Sequence, residues 1–410
     1  MPGACVAIIA MPEVVLPSAA PMGKTGVQTY TNDFVRAMVS YRRRVSGIHF
    51  FTPWSTVPLA RAALHTMNPD DTSVLVKPLE SFPSMLQRTP YIAVHVPGGP
   101  RIGVFANLVH RYARESTPVT ATLHAASYPL ISEFLRDALL SDVRSFDAVI
   151  SPSSAAEAAY IHLRQALGAW VMSRKGVSLD APWQTAVIPH GVDCNTVHPG
   201  DRRNARELLA LPFDDCIVLF PGRLDVATKA DLSPIIALFA HRHLEHTRLV
   251  IVGQDESQAQ SDVRYIEQIH NSRVPISLFA NAPQALLALL YQASDVAVFP
   301  YDNLQESFGI AVLEAMASGL PCIVPDWDGL REIVLHDETG CVVPTLRTTS
   351  SFVAPELGEI DELRRYVHLA FAQTTSIDLL ALHGCVQRLA QSRDLRLQLG
   401  SAARSRTKDC

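Results

Sequence analysis

Apolar residues gather in short runs along this chain, separated by stretches of helical periodicity. The run 6–10 predicts a buried strand, and a loop punctuated by Pro and Gly follows to Gly26. Residues 30–39 place Phe34, Val35 and Met38 on one side of a helix. Runs at 91–96, 119–123 and 147–151 predict further strands, and Ser153 is a candidate helix cap. A second series starts near residue 215, with predicted strands at 217–220, 248–252, 276–279, 296–299 and 322–324. Strands alternating with helices indicate parallel βαβ units. Between the two series, 189–203 carries Pro189, Gly191, Pro199 and Gly200 with little periodicity and is expected to be a hinge. The expected architecture is α/β, with two doubly wound, Rossmann-like domains in tandem, 1–190 and 191–410. Ligands of such sheets bind at the carboxyl ends of strands, here expected in the cleft between the domains.

Composition supports this reading. At about 100–200 residues per domain, 410 residues make two or three domains. Apolar residues are 48% and charged ones 18%, which excludes a disordered chain or a coiled coil. A net charge of −5 argues against a general nucleic-acid binder. Residues 1–200 carry 16 Lys+Arg against 13 Asp+Glu, and residues 201–410 carry 19 against 27. That asymmetry fits two domains with different tasks. Seven widely spaced cysteines without a CxxC argue against a disulfide framework or a zinc ribbon. No uncharged apolar run reaches the ~18 residues of a membrane span. The first ten residues lack a leader's charged start. A reduced, cytoplasmic protein is expected.

Two segments carry candidate chemistry. In the first, Phe220-Pro221-Gly222-Arg223-Leu224-Asp225, followed by Lys229, a strand ends, glycine turns the chain and two cations follow. Two fixed positive charges at a strand's carboxyl end can hold a diphosphate and stabilise it as it leaves. Taken alone, such a pair is more often two solvated surface cations. The second segment runs from Glu306 to Pro321. Ile310, Leu313 and Ala317 form an apolar stripe that starts a helix near Phe308 or Gly309, and Gly319 with Pro321 ends it. Its free N–H groups and dipole suit a phosphate, and its glutamates suit sugar hydroxyls. On spacing alone, the glutamates fit solvated or capping residues about equally well.

The two segments occur together, in this order and about 80 residues apart. In that combination they resemble the donor half of retaining GT-B glycosyltransferases of family four, the glycosyl transferases group 1. Glu306 and Glu314 match the family's E-x7-E signature. Val187-Ile188-Pro189-His190-Gly191-Val192-Asp193, Leu249-Val250-Ile251-Val252-Gly253, Gly329 to Val334 and Gly340-Cys341-Val342-Val343-Pro344 are similar to its flanking segments. In the N-terminal half, Thr25-Gly26-Val27-Gln28-Thr29-Tyr30 resembles the family's glycine loop, with Thr25 where a second glycine is usual. Thr122-Leu123-His124 resembles its strand-end histidine.

The resemblance implies a transferase that moves a sugar from a nucleotide-sugar to an acceptor hydroxyl with retention. The leaving diphosphate would assist a same-face mechanism. It implies that Arg223 and Lys229 bind the donor diphosphate and Glu306 the transferred sugar. The backbone of Phe308, Gly309 and Ile310 would meet sugar or phosphate, and Glu314 the ribose. His124 and Gly26 would line the sugar and phosphate side from the first domain. It implies a nucleotide-diphosphate sugar as co-substrate, a UDP-sugar being favoured, with no cofactor and no metal. The acceptor, a carbohydrate or another hydroxyl compound, is expected at the loops 11–26 and 95–101. The family's closing helix, which returns to the first domain, is expected either within 377–404 or in chain beyond the given sequence. The alternatives are a nucleotide-sugar epimerase on the same scaffold and a sugar-nucleotide-binding protein without catalysis.

Four other patterns are weaker. Met22-Gly23-Lys24-Thr25 resembles the end of a P-loop, but Ser18 stands where the first glycine is required. Asp326-Trp327-Asp328 is a D-x-D read as a turn near the donor rather than a metal site. Arg42-Arg43-Arg44 could touch anionic lipid as a weak peripheral contact, although such runs are more often solvated helix ends. His241, His243 and His246 do not put a full set of metal ligands on one helix face.

Overall fold

The computed structural model describes residues 5–9, 26–40, 45–67, 73–127, 130–241, 244–254, 275–303, 305–348 and 360–408. The chain divides into two units, one of residues 1–20 with 24–190, the other of 21–23 with 191–410. The P-loop-like segment, Thr25, the 11–25 part of the expected acceptor loops, Arg42 to Arg44 and His243 lie outside the described residues.

In the first unit a seven-stranded sheet has the order β3-β2-β1-β4-β5-β6-β7. The strands are β1 Cys5–Ile9, β2 Gly47–Thr52, β3 Val74–Pro78, β4 Tyr91–Val96, β5 Val119–Thr122, β6 Ala148–Ser151 and β7 Gln184–Val187. Every pairing is parallel. Strand alternation divides β1 between two cores. Cys5, Ala7 and Ile9 join one apolar cluster, Val6 and Ile8 the other. Both faces are therefore covered, as an all-parallel sheet requires. Ser153 caps the helix Ser154–Lys175, its hydroxyl accepting from the Ala156 N–H at 3.0 Å. Asp147, fully buried just before β6, accepts from the N–H groups of Val119 and Arg144, both at 2.8 Å.

The second unit's six-stranded sheet has the order β10-β9-β8-β11-β12-β13, again parallel throughout. These strands are β8 Cys216–Pro221, β9 Thr247–Gly253, β10 Ile276–Ala280, β11 Val296–Val298, β12 Cys322–Pro325 and β13 Gly340–Val343. All six residues of β8 are buried, which is why its sequence is a continuous apolar run. An antiparallel pair, β14 Thr345–Arg347 with β15 Thr375–Ile377, completes the strands.

The last two helices, Leu379–Gln391 and Arg393–Lys408, belong to the second unit. Helix Arg393–Lys408 packs on helix Ile310–Ala317 closely enough that a Cβ on Gly400 would lie 2.1 Å from the Gly319 carbonyl oxygen. A buried charge network holds these parts together. Asp295 is 4% exposed and meets Arg206 at 2.5 Å, Arg202 at 2.9 Å and Arg396 at 3.8 Å, and it also accepts from the Ile217 N–H at 2.8 Å. A buried carboxylate with this many partners strongly disfavours losing any one of them.

Candidate functional site

In the second unit, strand order reverses between β8 and β11. The crevice outside the carboxyl ends at such a switch point is where doubly wound sheets bind ligands. Both charged segments singled out from the sequence leave from it: Gly222 to Lys229 follow β8, and Tyr301 to Glu306 follow β11. The Tyr301 hydroxyl donates to the Pro221 carbonyl at 3.0 Å.

The turn after β8 is built on Asp225, which is 2% exposed. Its carboxylate accepts from the Ala227 N–H at 3.1 Å and the Thr228 hydroxyl at 2.7 Å, and its carbonyl accepts from the Lys229 N–H at 2.9 Å. Arg365 meets the same carboxylate at 2.7 Å. Two bonds tie this turn to the loop after β11. Asn303 donates to the Thr228 carbonyl at 3.2 Å, and the Asp231 N–H donates to Asp302 at 3.1 Å.

The turn delivers Lys229 to Glu306. Their ion pair is 2.7 Å long, and each side chain is 14% exposed. The Lys229 ammonium also lies 3.9 Å from the centroid of the Tyr301 ring, a cation–π contact. Burial pulls the Lys229 pKa below the ordinary lysine range. Glu306 opposes the shift and the nearby Arg223 guanidinium adds to it. Arg223, Lys229 and Glu306, separated by up to 83 positions in sequence, thus form one electrostatic cluster.

Beyond it, Phe308 is buried and Gly309 adopts φ +98°, a conformation that favours glycine. A Cβ there would also lie 2.6 Å from Leu330 Cδ2. Gly309 therefore caps the helix Ile310–Ala317. In the second turn of that helix, Glu314 is 9% exposed and accepts from the Tyr291 hydroxyl at 3.0 Å. Burial, with Glu314 beside it, pushes the Tyr291 phenol well above its usual pKa.

The two carboxylates of the D-x-D point to different neighbours. Asp326 faces the exposed Arg331 at 3.7 Å. Asp328 has φ +50°, and its Oδ2 is buried with no hydrogen-bond partner among the described residues. Burial and the neighbouring Glu306 raise the Asp328 pKa to about 7. Burial raises Asp302 to about 7 as well. Among the described residues, no three His, Cys, Asp or Glu side chains gather as a metal site.

In the first unit the chain reverses between β1 and β4. Gly26 opens the helix Gly26–Ser40. His124 follows β5, and its Nε2–H donates to the Pro97 carbonyl at 2.6 Å. Its ring lies edge-on to Tyr30, with centroids 5.0 Å apart, and His190 lies 4.2 Å from Tyr30. The Tyr30 and Thr122 hydroxyls are 3.1 Å apart, and His95 contacts Thr122 at 3.3 Å. Burial lowers His124 and His95 to about 4 and His190 to about 3. All three are therefore neutral at pH 7, and His124, whose N–H is committed to Pro97, carries no charge.

Sequence reasoning gave no role to Asp225, Tyr291, Tyr301 or Asn303. Asp225 lies inside the Phe220 to Asp225 segment, and Tyr301 lies two positions past the predicted strand 296–299. Tyr291 and Asn303 left no pattern, since their partners are distant in sequence.

Comparison with known proteins agrees with this geometry. Residues 215–354 match the family model described as glycosyl transferases group 1. The second unit carries a glycosyl transferases group 1 domain. This group 1 domain holds the Arg223, Lys229, Glu306 and Glu314 positions. A D-inositol 3-phosphate glycosyltransferase of Acidothermus cellulolyticus is 32% identical over 183 residues, which cover 42% of this chain and 40% of that protein. The chain thus spans about two fifths of the length of the curated relatives it matches. Among solved structures, sucrose-phosphate synthase from Thermosynechococcus elongatus aligns with a TM-score of 0.62 at 20% identity, covering 99% of this chain and 94% of that one. Anabaena HepE in complex with UDP and glucose aligns with a TM-score of 0.56 at 17% identity, covering 94% and 98%. The fold is GT-B, with a Rossmann-like sheet in each unit. No helix among the described residues is long and apolar enough to cross a membrane.

Proposed function

We propose that this protein is a retaining glycosyltransferase that moves a sugar from a nucleotide-diphosphate donor, a UDP-sugar, to an acceptor hydroxyl. The observation that carries the reading is the Lys229–Glu306 pair beside Arg223 at the switch point of the group 1 domain. Arg223 and Lys229 would hold the diphosphate and stabilise its charge as the sugar leaves. Lys229 would exchange part of its contact with Glu306 for phosphate oxygen, freeing Glu306 to accept from a sugar hydroxyl. Glu314 would accept from the ribose hydroxyls. The N–H groups at the start of helix Ile310–Ala317 add positive potential where the phosphate would lie. The diphosphate oxygen that leaves the anomeric carbon would take the acceptor's proton on the same face, which retains configuration. HepE, which shares the fold, is recorded with UDP and with UDP-glucose, and this supports the choice of donor.

Calorimetry with free UDP, run beside turnover of a UDP-sugar, tests this. The Arg223→Ala, Lys229→Ala double variant loses charge-assisted hydrogen bonds worth about 1.5–3 kcal/mol each, so UDP affinity should fall roughly 100-fold or more. UDP affinity equal to wild type would show the donor site to be elsewhere. Conversion of the UDP-sugar without any acceptor would instead identify an epimerase.

A further inference from the structure

Apart from the switch-point cluster, the second unit holds a cavity of about 200 Å³, room for several waters and so for a small organic molecule. Four segments meet there: the loop before the helix Ser233–His241, the loop after β11, β15, and the start of the helix Leu379–Gln391. Arg223, Lys229, Glu306 and Glu314 do not line it, so it is separate from the candidate donor site. Pro234, Ile235, Pro300 and Leu382 give it an apolar wall, and Asp231 and Asp302 bring two half-buried carboxyl groups. The two are held together by the 3.1 Å bond from the Asp231 N–H to Asp302, and Asp231 also accepts from the Ser233 N–H at 2.9 Å. Among the described residues no Lys, Arg or His lines the cavity, and neither carboxylate has an ion-pair partner. Thr375, 8% exposed, lines it as well, and its hydroxyl is buried with no hydrogen-bond partner among the described residues.

We propose that this cavity binds a small alkylammonium ion, with its ammonium group on Asp231 and Asp302 and its carbon chain on the apolar wall. Two carboxyl groups in a half-buried space without a cation leave a negative potential that a positive ligand balances. A primary ammonium carries three N–H donors, and Asp231, Asp302 and the Thr375 hydroxyl supply three acceptors. A divalent metal fits less well. It takes about six oxygen ligands or more, and among the described residues no three His, Cys, Asp or Glu side chains gather. A neutral polyol would leave the charge uncompensated, and an anion would be repelled by it. Burial, with the Asp231 charge adding to it, holds Asp302 up at about 7, so about half of this carboxyl is protonated at neutral pH. An ammonium ion beside it favours the carboxylate, and the proton leaves as the ligand binds. Asp231 is the other titratable side chain of the lining; β15 and the helix Leu379–Gln391 add none.

The test uses the whole protein, with n-butylamine hydrochloride as the probe and n-butanol as its neutral counterpart. Both are titrated by calorimetry at pH 7, in two buffers of different ionisation enthalpy. Butylammonium should bind at least about tenfold more tightly than butanol and release roughly half a proton per ligand bound. Asp302→Asn keeps an acceptor for the Asp231 N–H and removes the charge. It should weaken butylammonium binding about tenfold or more and abolish the proton release. Circular dichroism checks that the variant is folded. If it is not, Asp231→Asn, which should also weaken binding, and the wild-type comparison of the two probes decide the case. The proposal is overturned by any of four results: no butylammonium binding, butanol bound as tightly, unchanged affinity in folded Asp302→Asn, or full displacement of the probe by equimolar calcium chloride.

Discussion

Lys229 and Glu306 of the second unit share a 2.7 Å ion pair, whereas the first unit packs His95, His124 and His190 around Tyr30 and Thr122 as neutral rings. A charge can stay out of water when an opposite charge lies against it, and the Lys229 cluster keeps its charges in this way. The histidines take the other course open to buried titratable groups, which is to give up the proton. The second unit's cluster is therefore suited to hold a charged ligand. The first unit's cluster carries no charge at neutral pH.

Acid should break the first cluster and leave the second. The three histidines have folded pKa values of about 4, 4 and 3, below the unfolded value near 6.5. The unfolded chain therefore binds more protons below pH 6.5, and stability is lost as pH falls toward the folded values. At pH 5 the loss is about 2 kcal/mol for each buried histidine relative to pH 8. Hydrogen exchange of first-unit amides at the two pH values measures it, and His95→Gln should remove about one histidine's share. Protection in β4 and β5 that does not change with pH would remove the contrast between the clusters.

The next largest effect belongs to the turn that carries Lys229. Asp225→Ala removes the acceptor for Ala227 and Thr228 and leaves Arg365 without this partner. Urea unfolding should show a loss of about 3 kcal/mol. UDP affinity should fall as well, because Lys229 would no longer be held. Stability within about 0.5 kcal/mol of wild type would mean that the turn does not depend on its aspartate.

Glu306→Gln keeps the shape of the cluster and removes one charge. Turnover of a UDP-sugar should fall by roughly 100-fold, the scale set by loss of one buried electrostatic contact in a transition state, while UDP affinity changes little. A fall in affinity that matches the fall in turnover would move Glu306 from the sugar to the diphosphate.

Tyr291→Phe deletes only the hydroxyl that donates to Glu314. The expected cost is about 1 kcal/mol in thermal unfolding, with a modest rise in the KM for the donor. A donor KM and a melting temperature both equal to wild type would show that Glu314 does not depend on this bond.

The smallest expected effect is none. Activity should persist in excess EDTA, since Arg223 and Lys229 already supply two positive charges for the diphosphate. Complete loss that manganese or magnesium restores would turn attention to Asp326 and Asp328.

Several of these outcomes depend on residues that can be read from the chain alone. The second sheet was legible because β8, β11 and β12 are buried throughout and appear as unbroken apolar runs, and β9 carries the buried run Leu249 to Val252. The first sheet was half legible. β2 carries His49, β3 carries Lys77, and the edge strand β7 is exposed at both ends, so none shows a continuous apolar run. Arg223, Lys229, Glu306 and Glu314 could be chosen because the two segments that carry them occur together and in the order of the family they resemble; taken singly, each spacing fitted solvated residues as well. Gly309 could be chosen because only a short turn separates Glu306 from its helix.

Whether those charges meet was decided by the tertiary structure. Lys229 reaches Glu306 because β11 pairs directly with β8, a sheet order that no local pattern encodes. Tyr291 on Glu314, Arg365 on Asp225 and Arg388 on Cys341 join side chains from 23 to 140 positions apart, by packing that the residues at each end do not announce. The last helix is held within the second unit by the same kind of contact. Arg396 reaches Asp295, and Gly400 lets helix Arg393–Lys408 approach the end of helix Ile310–Ala317. The histidines had titratable side chains in the sequence. Only their burial made them neutral, because the cost of a charge depends on the solvent that the fold removes.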